Sequence, residues 1–184
     1  MNSNMLKKLL IFVSCLISTS AFAQDLIQSN FSGYQLSKYY SKYEMLEYAD
    51  QVDGFFYGDK IEAFNFKFGG IEWKFATMYF YDILEEGKGG FFYQVLFSTP
   101  FKSKEICMSS YDDLLTALTK KYGEGMKSDG KDIRSSYWRD GKRSCLLSAA
   151  LQESKGKEMY WYLTLTYGDI ELVLRLAEEA ENEL

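Results

Sequence analysis

The order of helix-like and strand-like segments runs twice along the chain, with a period of roughly 70 residues. Ser41-Lys42-Tyr43-Glu44 has the form of a capping box, in which the Ser41 hydroxyl accepts from a backbone N–H and Glu44 reaches back to the cap. It opens a helix to about Asp50, ahead of Gly54. Ser109-Ser110-Tyr111-Asp112-Asp113 opens a second helix in the same manner. Leu114, Leu115, Leu118 and Tyr122 make its apolar face, Lys120 and Lys121 sit in its last turn, and Gly123 follows as a C-cap. Three strand-like runs come after each helix: Ile61–Phe68, Ile71–Tyr81 and Gly90–Ser98, then Ile133–Arg139, Arg143–Glu153 and Glu158–Gly168. Asp169 caps a closing helix. The expected fold is α+β: tandem α-βββ units over about 31–100 and 101–168, antiparallel sheets covered by helices on one face, and a C-terminal helix over 169–184.

Tight turns join the first two strands of each unit, Gly69-Gly70 in one and Asp140-Gly141-Lys142 in the other. Two-residue hairpins need such residues because their central positions require positive φ. Period-two alternation then assigns faces. Phe64, Phe66 and Phe68 share one side, and the turn places Ile71, Trp73 and Phe75 with them as the expected core face. In the second unit either turn register puts Trp138, Cys145, Leu147, Ala149 and Leu151 on the core face. The opposite side would carry Tyr137, Arg139, Lys142, Ser144 and Ser148, joined by Tyr160, Tyr162 and Thr164. Tyr137, Arg139, Tyr160 and Tyr162 are therefore the candidate binding face for a protein or glycan partner, since tyrosine offers rigid apolar area with a polar tip.

The N-terminus reads as a secretory signal over residues 1–23. Lys7 and Lys8 precede a short apolar run from Leu9 to Ile17, and Ala21-Phe22-Ala23 gives the small-x-small pattern for cleavage between Ala23 and Gln24. That run is too short for a bilayer-spanning helix, which needs about 20 residues. Lipidation at Cys15 fits less well, because the apolar run continues through Leu16 and Ile17. Residues 24–184 are expected to form a single domain in the periplasm or outside the cell. Loss of Lys7 and Lys8 moves the formal net charge from −5 to −7. An acidic surface without basic runs argues against nucleic acid as a partner. Of the remaining cysteines, Cys107 and Cys145, an oxidising compartment favours a single disulfide.

The chain contains no histidine, which removes the usual triads, the usual catalytic zinc sites and the commonest acid–base group. No phosphate-binding loop or dinucleotide turn is present, and no cofactor or metal is expected. Two other functions stay open. One is a carboxylate-dependent hydrolase acting on glycans, using Asp82, Glu85 and Glu86 in one loop with Glu153 in the matching loop. The other is a small carrier of hydrophobic ligands, suggested by an aromatic content of 17%.

Gly33-Tyr34-Gln35-Leu36 before the first helix, Lys121-Tyr122-Gly123 at the end of the second and Tyr137-Trp138-Arg139-Asp140-Gly141 at the hairpin carry a resemblance. With this element order, the chain resembles small exported bacterial proteins built of duplicated helix-plus-antiparallel-sheet units. The β-lactamase inhibitor protein and BamE belong to that architectural group, and the chain also looks like secreted proteins of the Bacteroides type. The resemblance implies a non-enzymatic binding or assembly role presented from an open sheet face. The chain departs from the group in lacking a lipobox and an inhibitor signature, and no functional residue is carried over.

Overall fold

The structure is a computed structural model that describes residues 27–81, 89–154 and 158–182. The expected signal segment, its Ala23/Gln24 cleavage point and the acids Asp82, Glu85 and Glu86 lie outside the described residues. A short hairpin of β1 (Asn30–Phe31) and β2 (Tyr34–Gln35) leads into β3 (Tyr39–Ser41) and helix α1 (Lys42–Gln51). Four strands follow: β4 (Gly54–Tyr57), β5 (Lys60–Phe68), β6 (Ile71–Tyr81) and β7 (Gly89–Phe101). Helix α2 (Lys104–Tyr122) precedes β8 (Met126–Asp129), β9 (Ile133–Arg139), β10 (Arg143–Glu153) and β11 (Met159–Asp169). Helix α3 (Ile170–Asn182) closes the chain. The fold is α+β, with a large antiparallel sheet and, among the described residues, three helices.

Separate sheets were expected; the strands instead form one. Its order is β4-β5-β6-β7-β11-β10-β9-β8, with β3 paired to the start of β7. The joint is β7 against β11, where Phe97 faces Leu165 and Val95 faces Tyr167. β7 runs on through Phe101, and Thr99 and Phe101 pair with Leu163 and Trp161. β4 and β8 were not expected, because four residues are too few to show a period.

Helices α1 and α2 cover one face. Met45, Tyr48 and Ala49 of α1, and Cys107, Tyr111, Leu114 and Leu118 of α2, are buried against it at helical spacing. The sheet supplies Trp73, Phe97, Trp138, Leu147, Leu163 and Leu165 to the same core. Each such large apolar side chain contributes roughly 1.5–3 kcal/mol by leaving water. Ser41 caps α1 as expected: its hydroxyl accepts from Glu44 N at 3.3 Å, and its own N–H donates to the Glu44 carboxylate at 2.8 Å. Helix α2, by contrast, starts earlier than expected, with Ser103 as its cap accepting from Ile106 N at 3.2 Å. Cys107 and Tyr111 extend the apolar face of Leu114 and Leu118 upstream, so Ser109 and Ser110 lie inside the helix.

That earlier start undoes the expected disulfide. Cys107 and Cys145 are buried free thiols. The amino end of α2 lies by Trp161, whose ring is 4.8 Å from Lys104 Nζ, and its carboxyl end brings Tyr122 to 6.5 Å from Trp138. Cys145 pairs with Trp138 and so lies beneath the carboxyl end, whereas Cys107 is in the first turns. About 20 Å of helix separates the two positions at 1.5 Å per residue, and a bridge tolerates no more than about 7 Å between Cα atoms.

Helix α3 corrects a second expectation, that helices cover only one face. Asp169 is buried, accepts from the Ser37 hydroxyl, and caps α3 by accepting from Leu172 N at 3.0 Å. The chain then passes to the opposite face. There a Cβ on Gly168 would stand 3.6 Å from Val173 Cγ2 and 3.6 Å from Ser144 Oγ. The missing side chain of Gly168 makes room for α3 at that end of the sheet.

Candidate binding face

Cross-strand partners share a face, so the register lays out the side away from α1 and α2 row by row. In β9, β10 and β11 alternation holds throughout. Ser98, Thr164, Ser148 and Ser135 stand side by side across four neighbouring strands, and Ser128 of β8 continues the row. Ser148 Oγ and Thr164 Oγ1 are 2.7 Å apart and hydrogen-bonded. At its other end the same row continues from Ser98 to Phe75 and then Phe64. A parallel row runs Thr77, Leu96, Thr166, Leu146, Tyr137 and Met126.

Phe64 and Phe75 had been expected in the core; they are not. Phe64 is 45% and Phe75 41% exposed, whereas Phe66 is 8% and Trp73 0% exposed. The cause is Asn65, which adopts φ 50 in the middle of β5. Asparagine tolerates the left-handed region better than most residues, and a residue there reverses the side on which the next side chain points. Ile61 and Ala63 are buried before it, Phe66 after it, and the partner strand β6 changes phase at the same level. The far end of the hairpin thereby turns its rings onto the core, with Phe68 stacked on Phe97 at 4.5 Å between centroids. Phe64 is left outside between Phe55 and Phe75, at 6.1 and 5.7 Å, in edge-to-face contacts.

The four residues expected to form the binding face all lie on this side, but not together. Tyr137 is half-buried between Leu146 and Met126. Burial raises its phenol pKa, against the opposing pull of the Arg139 guanidinium. Arg139 is exposed and opposite Ser144. Tyr160 and Tyr162 form a second patch, their rings 6.4 Å apart, with the Tyr160 hydroxyl donating to Glu158 Oε2 at 2.5 Å. Tyr162 is two strands from Tyr137 and four residues along β11 from its row. That amounts to roughly 10 Å by 13 Å on sheet spacings. The exposed Phe55, Phe64 and Phe75 went unread. Asn65 between two phenylalanines was the available signal, since asparagine inside an apolar strand marks a left-handed position. Of the acids considered for hydrolysis, Glu153 is exposed.

The face is aromatic at one side, hydroxyl-lined through the middle and carries few charges, among them the Lys60–Glu62 pair at 2.6 Å. Such an arrangement suits non-covalent contact. Among the described residues, no helix is long and apolar enough to cross a membrane. Fold and face together define an α+β protein with a large antiparallel sheet whose second side is partly open. No family model, curated protein or solved structure matches this chain.

Proposed function

We propose that the chain is an exported, non-catalytic binding or assembly module that docks a protein partner on the open side of its sheet. One observation carries this reading. Phe55, Phe64 and Phe75 present three rings to solvent on neighbouring strands, with Phe64 in contact with each of the other two. Aromatic clusters of this kind are the anchors that dominate protein interfaces once a partner excludes water from them. The hydroxyl row beside them supplies the polar rim that such an interface carries. Tyr137 and Arg139, with Tyr160 and Tyr162, extend the surface toward its other end.

In the same reading the chain is a tandem of two units, each a helix followed by an antiparallel meander. The strand order supports it: β4 to β7 and β8 to β11 run inward from opposite edges and meet at β7 and β11. This arrangement keeps the likeness to small exported proteins of duplicated helix-plus-sheet units as a proposal about architecture. Export rests on residues 1–23 of the sequence alone. N-terminal sequencing of the protein recovered from a periplasmic extract is expected to begin at Gln24; recovery of intact Met1 from the cytoplasm would remove the export reading.

The docking test uses the double variant Phe55→Ser/Phe75→Ser. It is expected to lose a partner that the wild-type protein retains through cross-linking and purification, while its melting temperature stays within a few degrees. Retention of that partner by a folded double variant would rule out this face.

A further inference from the structure

The sheet ends in two edge strands whose sequences differ in kind. β8, at one edge, reads Met126-Lys127-Ser128-Asp129 and carries a charge of each sign. β4, at the other, reads Gly54-Phe55-Phe56-Tyr57. Phe55 is 67% and Tyr57 73% exposed. An edge strand offers unpaired backbone groups to any other strand, and proteins commonly guard it with lysine, proline, an inward charge or a bulge. β8 has its lysine. β4 has none of these devices.

The hairpin register places the unpaired groups. β4 and β5 are joined by Gly58-Asp59, with Tyr57 opposite Lys60 and Gly58 at φ 62 degrees. Residues flanking a two-residue loop exchange both backbone bonds, and the bonding direction then alternates along the strand. Tyr57 and Phe55 therefore bond to β5, while Phe56 and Gly54 turn their N–H and C=O groups outward. Among the described residues no backbone partner meets them on that side. The side chains alternate as well. Phe55 and Tyr57 stand on the open face, where Phe55 touches Phe64, and Phe56 packs against the core.

This pattern is complementary to itself. A two-fold axis through Phe56, perpendicular to the sheet, sets Phe56 of one copy against Phe56 of the other, where the outward groups bond reciprocally. Phe55 then falls opposite Tyr57 on both sides of the axis. Those are the close, non-hydrogen-bonded positions of an antiparallel ladder, about 4.5 Å between Cα atoms, where aromatic pairs are favourable. An axis through Phe55 keeps the bonding parity but makes one aromatic pair instead of two and sets Tyr57 against Asp53. We infer that two copies of this chain associate edge to edge through β4 with Phe56 on the axis, so that their open faces join into one surface. Asp53 and Asp59 flank the ladder at each end, so salt that screens them strengthens the association. Four residues from each copy bury less than the roughly 1,200 Å2 of stable complexes, and the dimer is reversible. It adds a contact to the docking face proposed above and shares Phe55 with it.

Sedimentation velocity of the protein produced as residues 24–184 tests this over a concentration series. The weight-average mass is expected to rise toward twice the monomer mass, and more steeply in high salt. Phe55→Lys/Tyr57→Lys sets like charges opposite each other at exposed positions, and is expected to stay monomeric with an unchanged melting temperature. Cross-linking under mild oxidation reads the register. Phe55→Cys/Tyr57→Cys is expected to give a covalent dimer, because the two positions face each other across the axis. Neither cysteine alone is expected to do so, since like positions stand roughly 8 Å apart, beyond the reach of a disulfide. The inference is overturned if the wild-type protein stays monomeric up to about 1 mM, if the folded lysine variant still dimerises, or if a single cysteine cross-links as fast as the pair. Phe75→Ser, two strands in from the edge, is expected to leave the dimer intact while weakening capture of a protein partner, so the two proposals fail separately.

Discussion

The two ends of the sheet are built by different rules. From β11 to β9, side chains alternate without interruption: Cys145, Leu147 and Ala149 face the helices, and Ser144, Leu146 and Ser148 face away. From β5 to β6, alternation changes phase at Asn65, and bulky rings stand on both sides. The core differs in kind as well. Phe31, Phe68, Phe97 and Tyr167 form a network of ring contacts toward the first end. Leu147, Leu163, Leu165 and Ala149 fill the space under α2. An uninterrupted period places every residue by its neighbours, while a single left-handed residue moves an aromatic ring from the interior to the surface.

The largest expected effect compares the two phenylalanines on either side of that residue. Phe66→Ala is expected to lower unfolding free energy by about 3–5 kcal/mol, the usual cost of emptying a buried aromatic site. Phe64→Ala is expected to cost less than about 1 kcal/mol, as for most surface changes. Urea titrations of both variants decide it, and equal losses would mean that β5 has no phase change.

Asn65 itself supplies the next test. Asn65→Ala is expected to cost about 1–2 kcal/mol, the penalty for a Cβ in left-handed backbone with no local polar compensation. Asn65→Gly is expected to be nearly neutral, because glycine takes that conformation without strain. Should both variants behave alike, the backbone at this point would not be the cause.

A pH dependence of about the same size is expected at the other end of the sheet. Burial pushes the Cys145 thiol up to about 12. Unfolded cysteine ionises near pH 8.5. Below that, the thiol is protonated in both states and its contribution to stability is complete. Above it the unfolded chain loses the proton and the folded chain does not, so stability declines as pH rises toward 12. The expected loss is about 1–2 kcal/mol between pH 8 and pH 10. Burial also pushes the Cys107 thiol up, to about 11, so its contribution declines in the same window. Cys145→Ala should roughly halve the combined slope, and an unchanged slope would assign the effect to other groups. In a protein produced as residues 24–184, without reductant, two thiols should react with a thiol reagent in denaturant and neither in the folded state, consistent with buried free cysteines.

The smallest effect separates the two helix caps. Ser41→Ala removes one side of a reciprocal capping box, whereas Ser103→Ala removes the bond accepted from Ile106 N and the one its hydroxyl donates to Glu105, with no reciprocal bond to the cap's own N–H. Each is expected to cost about 1 kcal/mol, with Ser41 the larger. A larger loss at Ser103, by thermal melting, would reverse that order.

Much of this was legible from local pattern. The capping box at Ser41, the Gly69-Gly70 turn with φ of 63 and 79 degrees, and the pair Phe66 with Trp73 are all as the spacing predicts. The second hairpin's register, left open by its turn residues, is decided by the structure, which pairs Trp138 with Cys145. Hairpin turns and caps depend on residues within a few positions of each other, so their chemistry is complete in a short window. The binding face was half legible for the same reason: Tyr137, Arg139, Tyr160 and Tyr162 follow from unbroken alternation. Phe55, Phe64 and Phe75 do not, because the phase depends on one backbone angle that residue type only biases.

By itself, the amino-acid order determined the three helices and the six longer strands in order, the tight turns and the core side of β9 to β11. These are set by side-chain volume, polarity and φ preference over neighbouring residues. Only the tertiary structure decided that β7 and β11 join one sheet, that Cys107 and Cys145 lie at opposite ends of α2, and that α3 crosses to the far side at Gly168. Each of these brings together segments distant in the chain. Their relative placement comes from how whole surfaces pack, which no local periodicity encodes.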